Sequence, residues 1–225
     1  MDAALRQFLA ALDYSFADEA LLHRALCHAS LDVEDDNEHL EFLGDRVLGL
    51  VVAEELLARY PHEKEGDLAR RQAELVSRRI CAEIAAEINL DAVIRCDPGQ
   101  RGGGDTPARN ILANGCEAVL GAVYLDGGLQ AAAQVILALW RARLDAQTAA
   151  PVDAKTELQE WAMKRKHAMP AYEIVSQTGP AHAPTFHVSV TVLGVIAQGE
   201  GASRRLAEQA AAAKCLHALA EENVP

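Results

Sequence analysis

Aromatic side chains make up only 4% of the 225 residues, while alanine and leucine dominate. That balance weighs against an all-β architecture and favours helix packing, so a mainly helical fold is expected. Cysteine is sparse and unpatterned. Cys27, Cys81, Cys96, Cys116 and Cys215 are odd in number, scattered, and form neither a CxxC motif nor a Cys/His zinc spacing. They read as buried thiols of a reducing cytosol. The opening run MDAALRQFLAALDY has an early acid, no basic cluster and no long apolar stretch. Neither a signal peptide nor a membrane span is expected from it, and the reading is a soluble, cytoplasmic protein.

A basic excess is also missing. The formal net charge is −12, which at first argues against a nucleic-acid partner. The deficit is uneven, however. Residues 151–225 hold 7 Lys/Arg and 8 Asp/Glu, a net −1, which leaves 14 and 25, a net −11, for residues 1–150. Concentrated carboxylates form either a solvated surface or a site that needs cations to work beside phosphates.

At this length two cores can be buried, and the patterning changes once. Up to about residue 145 the apolar spacing is helical: Leu5, Phe8, Leu9 and Leu12 share a face, as do Leu40, Leu43, Val47, Leu48 and Val51. The stretch Arg95–Ala108, with two prolines and four glycines, is predicted to be a surface loop, and Gly127–Gly128 to break the helix that follows. Residues 146–152 read as a short linker. Beyond it, Lys155–Lys166 patterns as a helix, Ala171–Gln177, Thr185–Leu193 and Val195–Gly201 as strands, and Ser203–Ala220 as a helix rich in alanine. The order is α-β-β-β-α.

In NEHLEFLGDRV, Glu38, Glu41 and Asp45 fall at i, i+3 and i+7, so three acids share one helix face. Like charges stacked this way repel unless a cation compensates. The bland alternative is a solvated acidic stripe. A second run, ILANGCEAVLGAVYLD, sets Asn114 and Glu117 at i, i+3 among small and apolar residues. Two facing helices that both offer oxygen ligands make a natural magnesium site, with water and phosphate completing the shell. Glu65 in HEKEGDLARRQ is either a further candidate or a solvated acid near an N-cap at Asp67.

NEHLEFLGDRVLG closely resembles the signature of the ribonuclease III family. ILANGCEAVLGAVYLDGG resembles that family's second acidic helix, and EGDLARRQAELVS its intervening segment. The order α-β-β-β-α, with GEGASRRLAEQAAAAKCL opening the last helix, resembles a double-stranded-RNA-binding domain. The resemblance implies an all-helical endonuclease domain (1–145), a linker (146–152) and a double-stranded-RNA-binding domain (153–222). It implies a homodimer that cuts both strands of duplex RNA, with Mg2+ as cofactor and Mn2+ able to substitute, and no membrane partner. It further implies 5′-phosphate and 3′-hydroxyl ends and a role in processing ribosomal and messenger RNA precursors.

By the same resemblance Glu41, Asp45, Asn114 and Glu117 hold metal, Asp45 and Glu117 being catalytic, and Glu38 and Glu65 lie nearer the RNA and the dimer interface. Thr156, Gln159, Glu160 and His182 face minor grooves, while Ser203, Arg204 and Arg205 face phosphates at a helix N-terminus, where the dipole also attracts anions. Trp161 is expected in the core. One position departs from the family: Asn114 stands where an aspartate is usual, which removes a negative charge and weakens a ligand. It is either a natural tolerance or an engineered change.

Two other readings compete. One is a duplex-RNA-binding protein that has lost cleavage through Asn114. The other is a di-iron carboxylate protein, which wants Glu-x-x-His pairs that are absent at these acids.

Overall fold

The apolar faces read from the sequence form helices α1 (Ala3–Leu12), α2 (Glu19–Ala25), α3 (Glu38–Arg59), α4 (Glu65–Leu75), α5 (Arg78–Glu87), α6 (Pro98–Arg101) and α7 (Asp105–Ala146). A computed structural model of the chain describes residues 3–101, 105–150, 153–166, 168–180 and 184–221. The chain divides into two units, Met1–Pro151 and Val152–Pro225, each with its own hydrophobic core.

In the first unit α7 is the central element, with α3 and α5 packed along it. Leu40, Leu48, Val52 and Leu56 of α3 and Ile84 of α5 meet Cys116, Val119, Leu120 and Val123 of α7, all at most 2% exposed. Length and composition alone would let α7 cross a bilayer, which the sequence reading did not foresee. Within this fold its residues from Gly115 to Val123 are buried against neighbouring helices, while 28% of the apolar window long enough to cross is buried. Gly128 (φ 77°, ψ −177°) interrupts it, so the predicted break is a kink at one residue in a conformation open only to glycine.

The predicted loop at Arg95–Ala108 is partly helical. Asp97 accepts a hydrogen bond from the Gly99 amide, and Pro98 sits first in α6, where its missing N–H costs nothing. α7 then starts at Asp105, with Pro107 tolerated in its first turn. The predicted cap at Asp67 is also corrected: α4 begins at Glu65 with Lys64 in the cap position and no side-chain cap bond, and Asp67 pairs with Arg70 instead.

The second unit comprises α8 (Ala154–Lys164), an antiparallel sheet in the order β1 (Ala171–Thr178), β2 (Thr185–Val192), β3 (Val195–Gly201), and α9 (Arg204–Glu221). Alternation along β2 sends Val188, Val190 and Val192 inward onto Ala211, Ala212 and Cys215 of α9 and Leu158 and Ala162 of α8. The small residues of α9 let the helix lie close on the sheet. A bulge between Ile174 and Ser176 shifts the β1–β2 register. Trp161, expected in the core, lies at its rim, half-buried with the Arg165 guanidinium 4.6 Å from its ring centre.

Candidate active site

Two glycines set the distance between the acidic helices. A Cβ on Gly44 of α3 would come 1.7 Å from the Glu117 carbonyl oxygen, and one on Gly121 of α7 would come 2.2 Å from the Leu40 carbonyl oxygen. The backbones of α3 and α7 therefore touch, and side chains one turn away converge on a cleft of about 490 Å³. Glu38, Glu41, Asp45, Asn114 and Glu117 all line it, together with Phe42, Arg46, Val76 and Arg78. Five of the acids and amides chosen from sequence spacing thus meet in one place. Glu65, exposed at the start of α4, is not among the lining residues.

The electrostatics of the cleft are unbalanced. Glu117 is only 9% exposed, and its pKa is pushed up to about 7, first by burial and then by the Glu41 charge. The Cys81 thiol, whose hydrogen bond goes to the Val76 carbonyl (4.0 Å), lies close enough to oppose the shift, as do Arg78 and Arg46. The thiol itself is kept protonated by the neighbouring Cys116 and by burial. Glu41 is likewise raised, by burial and by Glu38, with Arg78 pulling the other way. Asp45 differs, because it is paired with its neighbour Arg46, whose guanidinium lies 4.8 Å from the centre of the Phe42 ring.

Among the described residues no three Asp, Glu, His or Cys side chains close on one point as a ready-made cage for a metal. The donors nevertheless suit a hard divalent cation. They are all oxygens, and a buried carboxylate next to a second carboxylate calls for positive charge. Magnesium is commonly held by one or two carboxylates while water and substrate phosphate fill the remaining positions. Glu41, Asp45, Asn114 and Glu117 could supply that share.

In the second unit Thr156, Gln159 and Glu160 are exposed on one side of α8, at i, i+3 and i+4. Ser203 caps α9 by accepting a hydrogen bond from the Leu206 amide (3.3 Å), which leaves Arg204 and Arg205 exposed on its first turn. Arg204 donates to Glu208 Oε1 at 2.8 Å, and Lys155 holds Glu208 Oε2 at 2.5 Å. His182 lies outside the described residues.

Sequence reasoning missed Arg78, Arg46, Phe42 and Val76 as cleft residues, and Cys81 as a neighbour of Glu117. Cys81 carried a faint signal, since it falls on the apolar face of α5 with Ile80 and Ile84. Nothing in the sequence separates Arg78 from Arg79, which instead pairs with Glu83 and Glu74.

The same two-part organisation appears in comparisons with known proteins. A ribonuclease-III-like family model matches residues 18–143, and a double-stranded RNA binding motif matches residues 154–219. Ribonuclease 3 of Jannaschia sp. (strain CCS1) is 45% identical over 221 residues, covering 97% of each chain. Ribonuclease 3 of Mesorhizobium japonicum is 48% identical over 208 residues, covering 90% of this chain and 94% of the relative. The solved nuclease domain of ribonuclease III from Campylobacter jejuni is 35% identical with a TM-score of 0.59, covering 63% of this chain and 99% of that domain. The chain belongs to the ribonuclease III family of endoribonucleases.

Proposed function

We propose that the chain is a divalent-metal-dependent endoribonuclease that hydrolyses phosphodiester bonds in double-stranded RNA and leaves 5′-phosphate and 3′-hydroxyl ends. The observation that carries this is the cleft where Glu41 and Asp45 of α3 face Asn114 and Glu117 of α7 across a glycine-set contact. Magnesium, when bound, supplies the Lewis acid that activates water and stabilises the leaving 3′ oxygen, with manganese as a substitute. The protein contributes rigid oxygen donors. Glu117 is placed by the backbone contact beneath it, with the Cys81 thiol nearby, and Asp45, paired with Arg46, would be a further oxygen donor to the cation. Asn114 supplies a neutral amide where an acid would bind more strongly.

In the second unit, Thr156, Gln159 and Glu160 on α8 and Ser203, Arg204 and Arg205 on α9 read A-form duplex by shape, with the helix dipole of α9 reinforcing phosphate contact. His182 belongs to the same reading, and Glu38 and Glu65 would lie nearer the RNA. In this reading the nuclease domain is residues 1–145, the linker 146–152 and the double-stranded-RNA-binding domain 153–222.

The reading includes a homodimer. Phe42, Leu50 and Leu57 form an exposed apolar stripe on α3 opposite its buried face, at 64%, 55% and 60% exposure. A two-fold axis would cover that stripe with its own copy. The Campylobacter nuclease domain is described as having a region involved in dimer formation. Five free cysteines suit a reducing cytoplasm, and no membrane partner is part of the reading. Precursors of ribosomal and messenger RNA are the proposed substrates.

The test is cleavage of a long RNA duplex by this chain and by Asn114→Asp, each with magnesium, manganese or chelator. Staggered, metal-dependent products from the chain itself support the enzyme. If only Asn114→Asp cuts while both bind duplex equally, the chain is a duplex-RNA-binding protein, the reading that Asn114 favours. If neither cuts, the nuclease reading fails.

A further inference from the structure

The two arginines of the acidic cleft are in different states. Arg46 is committed to Asp45 and to the Phe42 ring. Arg78 lines the same cleft, is exposed, and makes no side-chain hydrogen bond or ion pair among the described residues. Its position is defined. Ser77 caps α5 by accepting from the Ile80 amide (3.4 Å), so Arg78 is the first residue of a ten-residue helix whose positive end borders the cleft. The next residue, Arg79, is tied to Glu83 and Glu74, so only the first arginine of the pair is left to the cleft.

A guanidinium offers five donors in a planar fork that matches two phosphate oxygens, and it stays charged at any working pH. The cleft lining carries Glu38, Glu41, Asp45 and Glu117 against Arg46 and Arg78, four negative charges to two positive. An RNA phosphate entering it meets repulsion from the acids and attraction from Arg78, the one lining cation that is not held in an ion pair among the described residues and acts on Glu41 and Glu117 only through space. We propose that Arg78 binds a backbone phosphate of duplex RNA at or beside the cut, as a substrate-contacting residue of the nuclease cleft. This inference rests on the reading of the cleft as the site that receives RNA. Arg78 makes no hydrogen bond or ion pair among the described residues, so its replacement removes no such bond and takes away only its through-space attraction to Glu41 and Glu117.

The test is a double-mutant cycle between protein and RNA. Arg78→Ala and Arg78→Lys are combined with duplexes that carry a neutral methylphosphonate at one position at a time around the cut. Duplex affinity is read in chelator, and single-turnover cleavage at saturating magnesium, in this chain or in Asn114→Asp if only that variant cuts. Arg78→Ala should slow cleavage about 10-fold to 100-fold, with Arg78→Lys between it and the unaltered chain. At one phosphate per strand the methylphosphonate should cost nothing further. The slope of log affinity against log salt should shrink by about 0.9 for each phosphate that the variant no longer neutralises.

A purely electrostatic role, in which Arg78 only offsets Glu41 and Glu117, predicts a different pattern: tighter magnesium binding in Arg78→Ala, methylphosphonate effects that add at every position, and an unchanged salt slope. Additive effects together with an unchanged slope would overturn the proposal. If neither chain cleaves, the nuclease reading falls, while the cycle on affinity in chelator still decides whether Arg78 touches RNA.

Discussion

Among the described residues each unit of the chain holds one nearly buried glutamate, and the two are opposites. Glu208 in the second unit is 7% exposed and gripped by Lys155 and Arg204, and those hydrogen bonds hold its pKa below the ordinary carboxylate range. Glu117 in the first unit is 9% exposed, faces Glu41, and has its pKa pushed up to about 7. The two are almost equally hidden from solvent, but burial raises Glu117 first and the Glu41 charge adds to it, whereas the bonds from Lys155 and Arg204 outweigh the burial of Glu208. A buried charge that the fold has already neutralised is part of the scaffold, whereas one left short of positive charge marks a place where something from outside completes the balance.

The comparison breaks if Glu117 proves to be scaffold. Glu117→Gln should reduce cleavage by more than about 100-fold, beyond what supporting partners of a metal ligand usually cost, while thermal stability without metal stays level or rises. Duplex cleavage and melting measured on the same preparation check both halves, and a large loss of stability would place Glu117 with Glu208. The converse holds for Glu208→Ala. It should cost about 1–2 kcal/mol, toward the low end for a buried pair because Arg204 is 62% exposed and its charge is screened. Hydrogen exchange along α9 would read that loss, and cleavage chemistry should stay unchanged at saturating RNA.

Cys81 sharpens the contrast, since a weakly polar thiol directed at the Val76 carbonyl does far less for the nearby Glu117 carboxylate than two cations do for Glu208. Cys81→Ala should lower cleavage roughly 10-fold by loosening Glu117, and Cys81→Ser should restore most of it. Equal rates in all three chains would show that the thiol only fills space.

The smallest effects are in pH. Glu117, raised above its ordinary value, contributes stability that is complete below pH 4.5 and is lost as pH rises through about 7. Glu208, lowered, contributes stability that is present above pH 4.5 and is lost as pH falls below it. Denaturation midpoints in chelator across this range should therefore decline from pH 4.5 to 7, and Glu117→Gln should flatten that decline. Saturating magnesium should also suppress it, because cation binding favours the ionised carboxylate.

Much of this was legible in the sequence because it depends on period. Glu38, Glu41 and Asp45 share a face at helical spacing, and Val188, Val190 and Val192 alternate as a half-buried strand must. What failed depended on local geometry or on distant partners. Pro98 counted as a breaker although it occupies the one helical position that suits proline, so the short α6 and the early start of α7 were read as loop. The difference between Arg78 and Arg79 has no period behind it. It follows from Ser77 ending one helix approach and starting another, which turns adjacent side chains toward different neighbours. The Glu117 environment needed α5 to be folded against α7 before Cys81 could reach it.

The contact between Gly44 and Gly121 acts as a gauge block. Side-chain packing can drift by repacking, but two backbones in touch have no smaller spacing available, and the least bulky substitution already inserts a methyl group into a carbonyl oxygen. The separation of the acidic helices therefore has a floor and no gentle slope away from it. Sequence change elsewhere in the bundle can alter stability by degrees, while change at these two positions moves Glu41 and Asp45 away from Asn114 and Glu117 in a single step.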